Sequence, residues 1–242
     1  MLVASIRKLA VIVLPGVLAT VAGGGEPTGS DPAAEKLIRD AHLARSSWDS
    51  TFPGLRASLA VWLNGEQSQG AVVVHKDGSV EVQLPNAALA DWAKGQLESI
   101  VSHRQASVQD KYQVAFVPED VEHPLGRLVR FLGSRTKSVY RIKDDLITEV
   151  HRDMGPTRFT ITVTEVTRNP GGKYLPRAFN VSYWDGKTGE LVRNEDYHED
   201  WGRVGSFDVP QRRLLVRTEK GKRSVGELRL TNIQLNAAKA AP

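Results

Sequence analysis

The sequence predicts a mainly β, α+β protein: a single large curved antiparallel sheet, an open or half barrel, covered by two helices. Three observations lead there. Only two segments carry apolar residues at a helical period, about twelve short segments carry strand patterns, and turn residues separate most of those segments. A sheet of that size must curl or close to keep its apolar face dry, and two amphipathic helices are available to lie on its concave side.

Asp31-Pro32 opens the first helix, with Pro32 suited to a first helical position and Ala34, Leu37, Ile38 and Ala41 spaced i, i+3, i+4 and i+7 as far as about Ser47. After the turn-like stretch Trp48 to Gly54 the period changes to two, and Leu55, Ala57, Leu59, Val61 and Leu63 alternate with more polar neighbours. Asn64-Gly65 is a strong two-residue hairpin signal, because a type I′ turn needs positive φ at both positions. Gly70 to His75 then returns, Asp77-Gly78 repeats the device, and Val80, Val82 and Leu84 complete a three-stranded meander. Asn86 can cap a second helix, whose stripe Leu89, Trp92, Ala93, Leu97, Ile100 and Val101 reaches about Arg104.

Nine further strands are expected: Tyr112 to Val117, Arg127 to Leu132, Ser138 to Ile142, Leu146 to Arg152, Arg158 to Val166, Arg177 to Trp184, Glu190 to His198, Arg212 to Glu219 and Val225 to Leu235. Asp144-Asp145, Asn169-Pro170-Gly171-Gly172 and Asp185 to Gly189 are the clearest turns between them.

The N-terminus differs from the rest. Arg7 and Lys8 form a basic start, Leu9 to Ala22 is uncharged and apolar, and Thr20-Val21-Ala22 places small residues before a cleavage point. Residues 1–22 are therefore expected to be a signal peptide, 23–31 a linker, and 32–236 one half-barrel domain with two helices in an exported protein, periplasmic or extracellular. The alternative is a membrane anchor retained as an uncleaved N-terminal helix. Fourteen apolar residues span only about 21 Å as a helix, short of the roughly 30 Å hydrocarbon core, which favours cleavage.

The chain has no Cys, which excludes disulfides, thiolate metal sites, cysteine nucleophiles and a lipidated N-terminal cysteine. Removing residues 1–25 lowers the net charge from +4 to +2, too little for a dedicated nucleic-acid binder. Basic residues concentrate late in the chain. Arg212, Arg213, Arg217, Lys220, Lys222 and Arg223 form a candidate contact for an anionic surface, weighed against an ordinary solvated strand edge.

Trp48-Asp49-x-x-Phe52-Pro53-Gly54, Gly78-Ser79-Val80-Glu81-Val82, Gln96-Leu97 with Ser99-Ile100 and His103-Arg104, Val150-His151-Arg152, and Trp184-Asp185-x-Lys187-Thr188-Gly189-Glu190 together resemble a bacterial and plastid family known only as a domain of unknown function. The resemblance covers roughly residues 34 to 218, and the family brings no established activity. The order of elements also looks like that of the periplasmic lipoprotein-carrier superfamily, which implies a half-barrel holding acyl chains under a helical lid.

No nucleophile motif is present, and no His pair has metal-ligand spacing, so no catalytic residue, metal or cofactor is expected. The leading expectation is a non-catalytic binding protein holding a lipid or other apolar small molecule, with Leu37, Ile38, Leu59, Val61, Leu89, Leu97 and Phe159 lining the space. One alternative is a periplasmic hydrolase or metal enzyme built on a His103, His151 and His198 cluster, which with Arg104 and Arg152 makes a candidate polar cluster. Another is a structural or interaction protein that contacts a partner through the basic hairpin and exposed tryptophans.

Overall fold

A computed structural model describes residues 29–106, 112–118, 122–134 and 136–237. The expected signal segment and most of the linker lie outside the described residues. Twelve strands form one antiparallel sheet in the order β3-β2-β1-β12-β11-β10-β9-β8-β7-β6-β5-β4, with β3 and β4 as its edges, so the sheet curves without closing into a barrel. Along the chain these are α1 (Pro32–Ala44), β1 (Leu55–Leu63), β2 (Glu66–Val74), β3 (Val80–Gln83), α2 (Ala87–Arg104), β4 (Val114–Phe116), β5 (Arg127–Phe131), β6 (Val139–Lys143), β7 (Leu146–Asp153), β8 (Thr157–Arg168), β9 (Tyr174–Asp185), β10 (Leu191–Val204), β11 (Phe207–Glu219) and β12 (Lys222–Leu235).

Strand alternation separates the two faces. On the convex face, interior strands carry a hydrogen-bonded polar ladder: Asn180 Nδ2 donates to Asn194 Oδ1 at 2.9 Å and Asp196 Oδ1 at 2.7 Å, and Asn194 Nδ2 donates to Ser182 Oγ at 3.0 Å. The concave face is apolar under the helices, the usual one-sided arrangement of an antiparallel sheet. The Asn64-Gly65 hairpin is as expected, with φ of 51° and 98°.

Two separate apolar clusters fill the concave side. α1 is capped by the Asp31 carboxylate, which accepts from the Ala33 and Ala34 amides, and it lays Ala34, Ile38 and Ala41 against Val114, Val129, Ile142 and Ile147. α2 is capped by Asn86 and lays Leu89, Ala93, Leu97, Ile100 and Val101 against Leu59, Val61, Val72 and Leu228. Each helix also packs beside one edge, α2 by β3 and α1 by β4, which shields short edge strands from pairing with another chain.

Several boundaries depart from the expectation: β2 starts at Glu66 instead of Gly70, β10 runs on to Val204 instead of His198, and β12 starts at Lys222 instead of Val225. α1 stops at Ala44 instead of Ser47, because Arg45 to Trp48 leaves in extended form: Arg45 bridges Tyr174 and Trp48 bridges Gln105. β9 starts at Tyr174 and β11 at Phe207, each several residues early. In both cases a proline, Pro176 or Pro210, lies inside the strand, and the register shifts at each: between Glu165 and Val166 opposite Pro176, and between Asp200 and Trp201 opposite Pro210. Proline is tolerated in a strand at such bulges, where no ladder hydrogen bond is lost.

Candidate functional site

The two helices cover opposite flanks of the sheet, and neither covers β8 to β10. A groove of about 480 Å³ remains there. Its floor is the concave face of three interior strands. Phe159, Ile161 and Val163 come from β8, Phe179, Val181 and Tyr183 from β9, and Tyr197 and Trp201 from β10. Registers Phe159↔Tyr183, Ile161↔Val181 and Val163↔Phe179 set them side by side. Phe179 and Tyr197 stack at 4.6 Å, and most of these side chains are only half-buried, unlike the closed cores to either side.

The chain ends of the helices form one end of the groove. Arg45, His103 and Arg104 reach it because the segment leaving α1 runs between α2 and β9: the Ser46 amide donates to the Tyr174 carbonyl at 2.8 Å and the Ala106 amide to the Trp48 carbonyl at 3.0 Å. Arg104 is 3% exposed, donates to the Ser46 carbonyl at 3.0 Å, and has its guanidinium 5.1 Å from the centre of the Trp201 ring. Arg45 donates to the His103 carbonyl. Beside them Arg213 grips the Glu199 carboxylate through Nε at 2.8 Å and Nη2, and donates to the Gln96 carbonyl at 3.1 Å. Burial first, and the Arg45 charge second, press the Arg104 guanidinium down to about 9, still protonated at neutral pH. Burial, then Arg45, also lowers His42 to about 4, so that imidazole is neutral. With Arg152 at the far end, the lining carries four guanidinium groups against the single carboxylate of Glu199.

The expected site residues divide. Phe159 lies on the groove floor, whereas Ile38, Leu59, Val61, Leu89 and Leu97 are closed core and Leu37 packs against the α1 core. His103, Arg104 and Arg152 line the groove. His151 and His198 do not, because alternation turns both to the convex face, beside Thr160 on β8 and exposed on β10 respectively. The histidine cluster therefore does not assemble. Among the described residues, no three His, Asp or Glu side chains converge in a manner that could hold a metal.

One convex-face arrangement has the order of a catalytic triad. His151 Nδ1 lies 2.8 Å from Thr160 Oγ1 while Nε2 contacts the Glu149 carboxylate. Acyl transfer also needs preorganised donors for an oxyanion, from backbone amides or side chains, and the Ser182 hydroxyl opposite Thr160 already donates to Asn180 Oδ1 at 3.0 Å. β8 is an interior strand whose amides are committed to β7 and β9, so no such donors face Thr160.

The late basic residues do not form one cationic surface. Arg212 pairs with Glu227 at 2.8 Å and Asp200 at 3.5 Å, Arg217 with Glu195 at 2.7 Å, and Arg213 is buried on the concave side. Lys220, Lys222 and Arg223 alone stand exposed, at the β11–β12 turn. Sequence reasoning missed Arg45, Tyr183, Tyr197, Trp201 and Arg213 as groove residues, although the alternation Phe159-x-Ile161-x-Val163 and Phe179-x-Val181-x-Tyr183 was there to be read.

Comparison with known families decides kinship. A family described as "Protein of unknown function (DUF3386)" matches residues 30–236. The chain belongs to the DUF3386 family. The DUF3386 match contains every groove residue named above. The motifs quoted from the sequence serve mainly its frame: Trp48 stacks on Phe52 at 4.1 Å, and the Asp185 carboxylate accepts from the Lys187 and Thr188 amides to close the β9–β10 hairpin. Ser99-Ile100, His103-Arg104, Val150 and Arg152 are the exceptions that reach the groove. No curated protein matches the chain. Among solved structures, a complex of Pseudomonas aeruginosa MucA/MucB is 12% identical with a TM-score of 0.18, covering 85% of this chain and 100% of that one. MucB in complex with MucA(peri) is also 12% identical, with a TM-score of 0.17 and the same coverage. Likeness that low carries no argument about fold or partner.

Proposed function

We propose that the protein is a non-catalytic binding protein that holds an apolar or amphiphilic small molecule, such as a lipid, in the groove over β8 to β10. One observation carries this reading: three interior strands present half-buried aromatic and aliphatic side chains to a space of about 480 Å³ that neither helix fills. Small-molecule sites commonly fall between roughly 300 and 1,000 Å³ and are apolar with a few placed polar groups. Side chains in closed cores bury nearly all their surface, and most of these do not.

The basic start and apolar stretch of residues 1–22 support export, and no described helix is long and apolar enough to cross a membrane. N-terminal sequencing of the protein recovered outside the cytoplasm is expected to begin after residue 22. Native mass spectrometry after gentle purification tests the binding role. A co-purifying amphiphile, or uptake of an added one at one per chain, supports it; a protein that takes up none of a panel of lipids refutes it.

A further inference from the structure

We infer that the groove's ligand is a single-chain anionic amphiphile, its carboxylate or phosphate head held by Arg45 and Arg104 and its tail laid along β8 and β9. This rests on the binding role proposed above and specifies its ligand class.

The head assignment follows from charge and burial. Arg104 is 3% exposed, and among the described residues neither Arg104 nor Arg45 is ion-paired with a carboxylate. Glu199, the carboxylate in the lining, already accepts from Nε and Nη2 of Arg213. Arg104 spends one donor on the Ser46 carbonyl, and the Arg45 Nε is buried with no acceptor at all. A buried Arg104 beside a half-buried Arg45, with only the shared Glu199 carboxylate to offset them, is unfavourable, and an oxyanion between the two removes the repulsion and meets the unused donors. A guanidinium fork matches a carboxylate or phosphate in two parallel hydrogen bonds, and charge-assisted bonds in an apolar surround are the strong ones.

The tail assignment follows from direction. From Pro176, beside Arg45 and Arg104, to Tyr183 the strand advances seven residues, about 23 Å at roughly 3.3 Å each. Along that path the concave side offers Phe179 and Val181 from β9 with Val163, Ile161 and Phe159 from β8 beside them. Polar groups gather at the two ends, Arg104 with Glu199 at one and Arg152 at the other, so the middle is an apolar strip suited to one aliphatic chain.

The test is calorimetric titration of the full chain with oleate, oleoyl lysophosphatidate, oleyl alcohol and inorganic phosphate, repeated on Arg45→Gln, Arg104→Gln and Arg152→Gln, with thermal unfolding to confirm that each variant folds. The two anionic lipids are expected to bind at least tenfold more tightly than oleyl alcohol, and Arg45→Gln or Arg104→Gln to bring that ratio toward one. Arg152→Gln, at the opposite end of the groove, where its Nη2 donates to the Tyr140 hydroxyl, is expected to change it less than Arg104→Gln does. The phosphate or carboxylate lipid that binds more tightly identifies the head. Equal affinity for oleate and oleyl alcohol overturns the anionic head and leaves the apolar binding role standing. A ratio lost in Arg152→Gln but kept in Arg45→Gln overturns the placement. Inorganic phosphate binding as well as the lysophosphatidate overturns the tail, and no binding by any lipid overturns the binding role itself.

Discussion

The Ser46 hydroxyl donates to the Asp208 carboxylate at 2.6 Å, joining the segment that leaves α1 to β11 across 162 residues of chain. The same carboxylate, 5% exposed, accepts from Asn169 Nδ2 at 2.6 Å and Arg203 Nη1 at 2.8 Å, and the Asp208 carbonyl accepts from Trp48 Nε1 at 2.8 Å. Four separate parts of the chain meet there. The Ser46 carbonyl in turn holds Arg104, so the knot fixes the cationic end of the groove from below.

Asp208→Ala removes the acceptor for three donors at once and leaves a guanidinium without its partner. Because Arg203 stays well exposed, the loss is that of the hydrogen bonds to the buried carboxylate, about 1–3 kcal/mol. Urea unfolding is expected to show that loss, with Asp208→Asn intermediate because it keeps one acceptor oxygen. A change below 1 kcal/mol would show that the linker is held by other contacts.

α2 approaches β12 where the strand has no side chain. A Cβ on Gly226 would run into the Trp92 ring and the Leu63 side chain. Gly226→Val is therefore expected to push α2 off the sheet and cost about 1–3 kcal/mol by overpacking. Trp92→Ala in the same chain makes room, so a double-mutant cycle should return a coupling of at least 0.5 kcal/mol. Additive losses would refute the contact.

Stability should fall with acid in a window set by His42. Its ring stacks on Tyr112 at 5.3 Å, meets Tyr140 edge-on and lies near Arg45, and burial holds its pKa at about 4 against an ordinary 6.5. Between those values the unfolded chain binds the extra proton, so stability is full above pH 6.5 and declines toward pH 4. The imidazole is partly exposed, so screening reduces the full linkage to about 1–2 kcal/mol. Melting temperatures from pH 7 to 4.5 are expected to drop in the native chain and to drop less in His42→Phe, which keeps the ring stack. Equal slopes in the two proteins would place the acid sensitivity elsewhere.

Period and turn chemistry made the architecture readable: both helices and all twelve strands are where alternation and Asn-Gly or Asp-Gly turns put them. Prolines hid the starts of β9 and β11, since their tolerance depends on bulges that only the paired strand reveals. The groove was harder to read for a geometric reason. A helix about 10 Å wide covers two or three strands spaced about 4.8 Å apart, so two helices leave much of a twelve-stranded concave face bare. Which strands stay bare depends on where α1 and α2 land. Leu59, Val61, Leu89 and Leu97 have the same apolar character as Ile161 and Val181, and only placement makes the first four core and the last two floor. Arg45 was silent, because a lone basic residue at a helix end is ordinary on a solvated surface, and Arg213 read as part of the late basic cluster because only the fold turns it inward.

That distinction between core and floor gives a paired measurement. Leu59 is 2% exposed beneath α2, so Leu59→Ala leaves a cavity and is expected to cost about 2–5 kcal/mol. Phe159 is a larger side chain, and in a closed core its loss would cost at least as much. On the groove floor it already borders open space, touching Tyr183 at 5.8 Å between ring centres, so its removal enlarges an existing opening instead of creating one. Phe159→Ala is thus expected to cost less than about 1.5 kcal/mol, well below the range for buried phenylalanine, while weakening uptake of an aliphatic ligand several-fold. Parallel urea titrations of the two variants decide the point. A Phe159→Ala loss as large as that of Leu59→Ala would mean that β8 to β10 are packed shut in solution, and the binding role would fall with the groove.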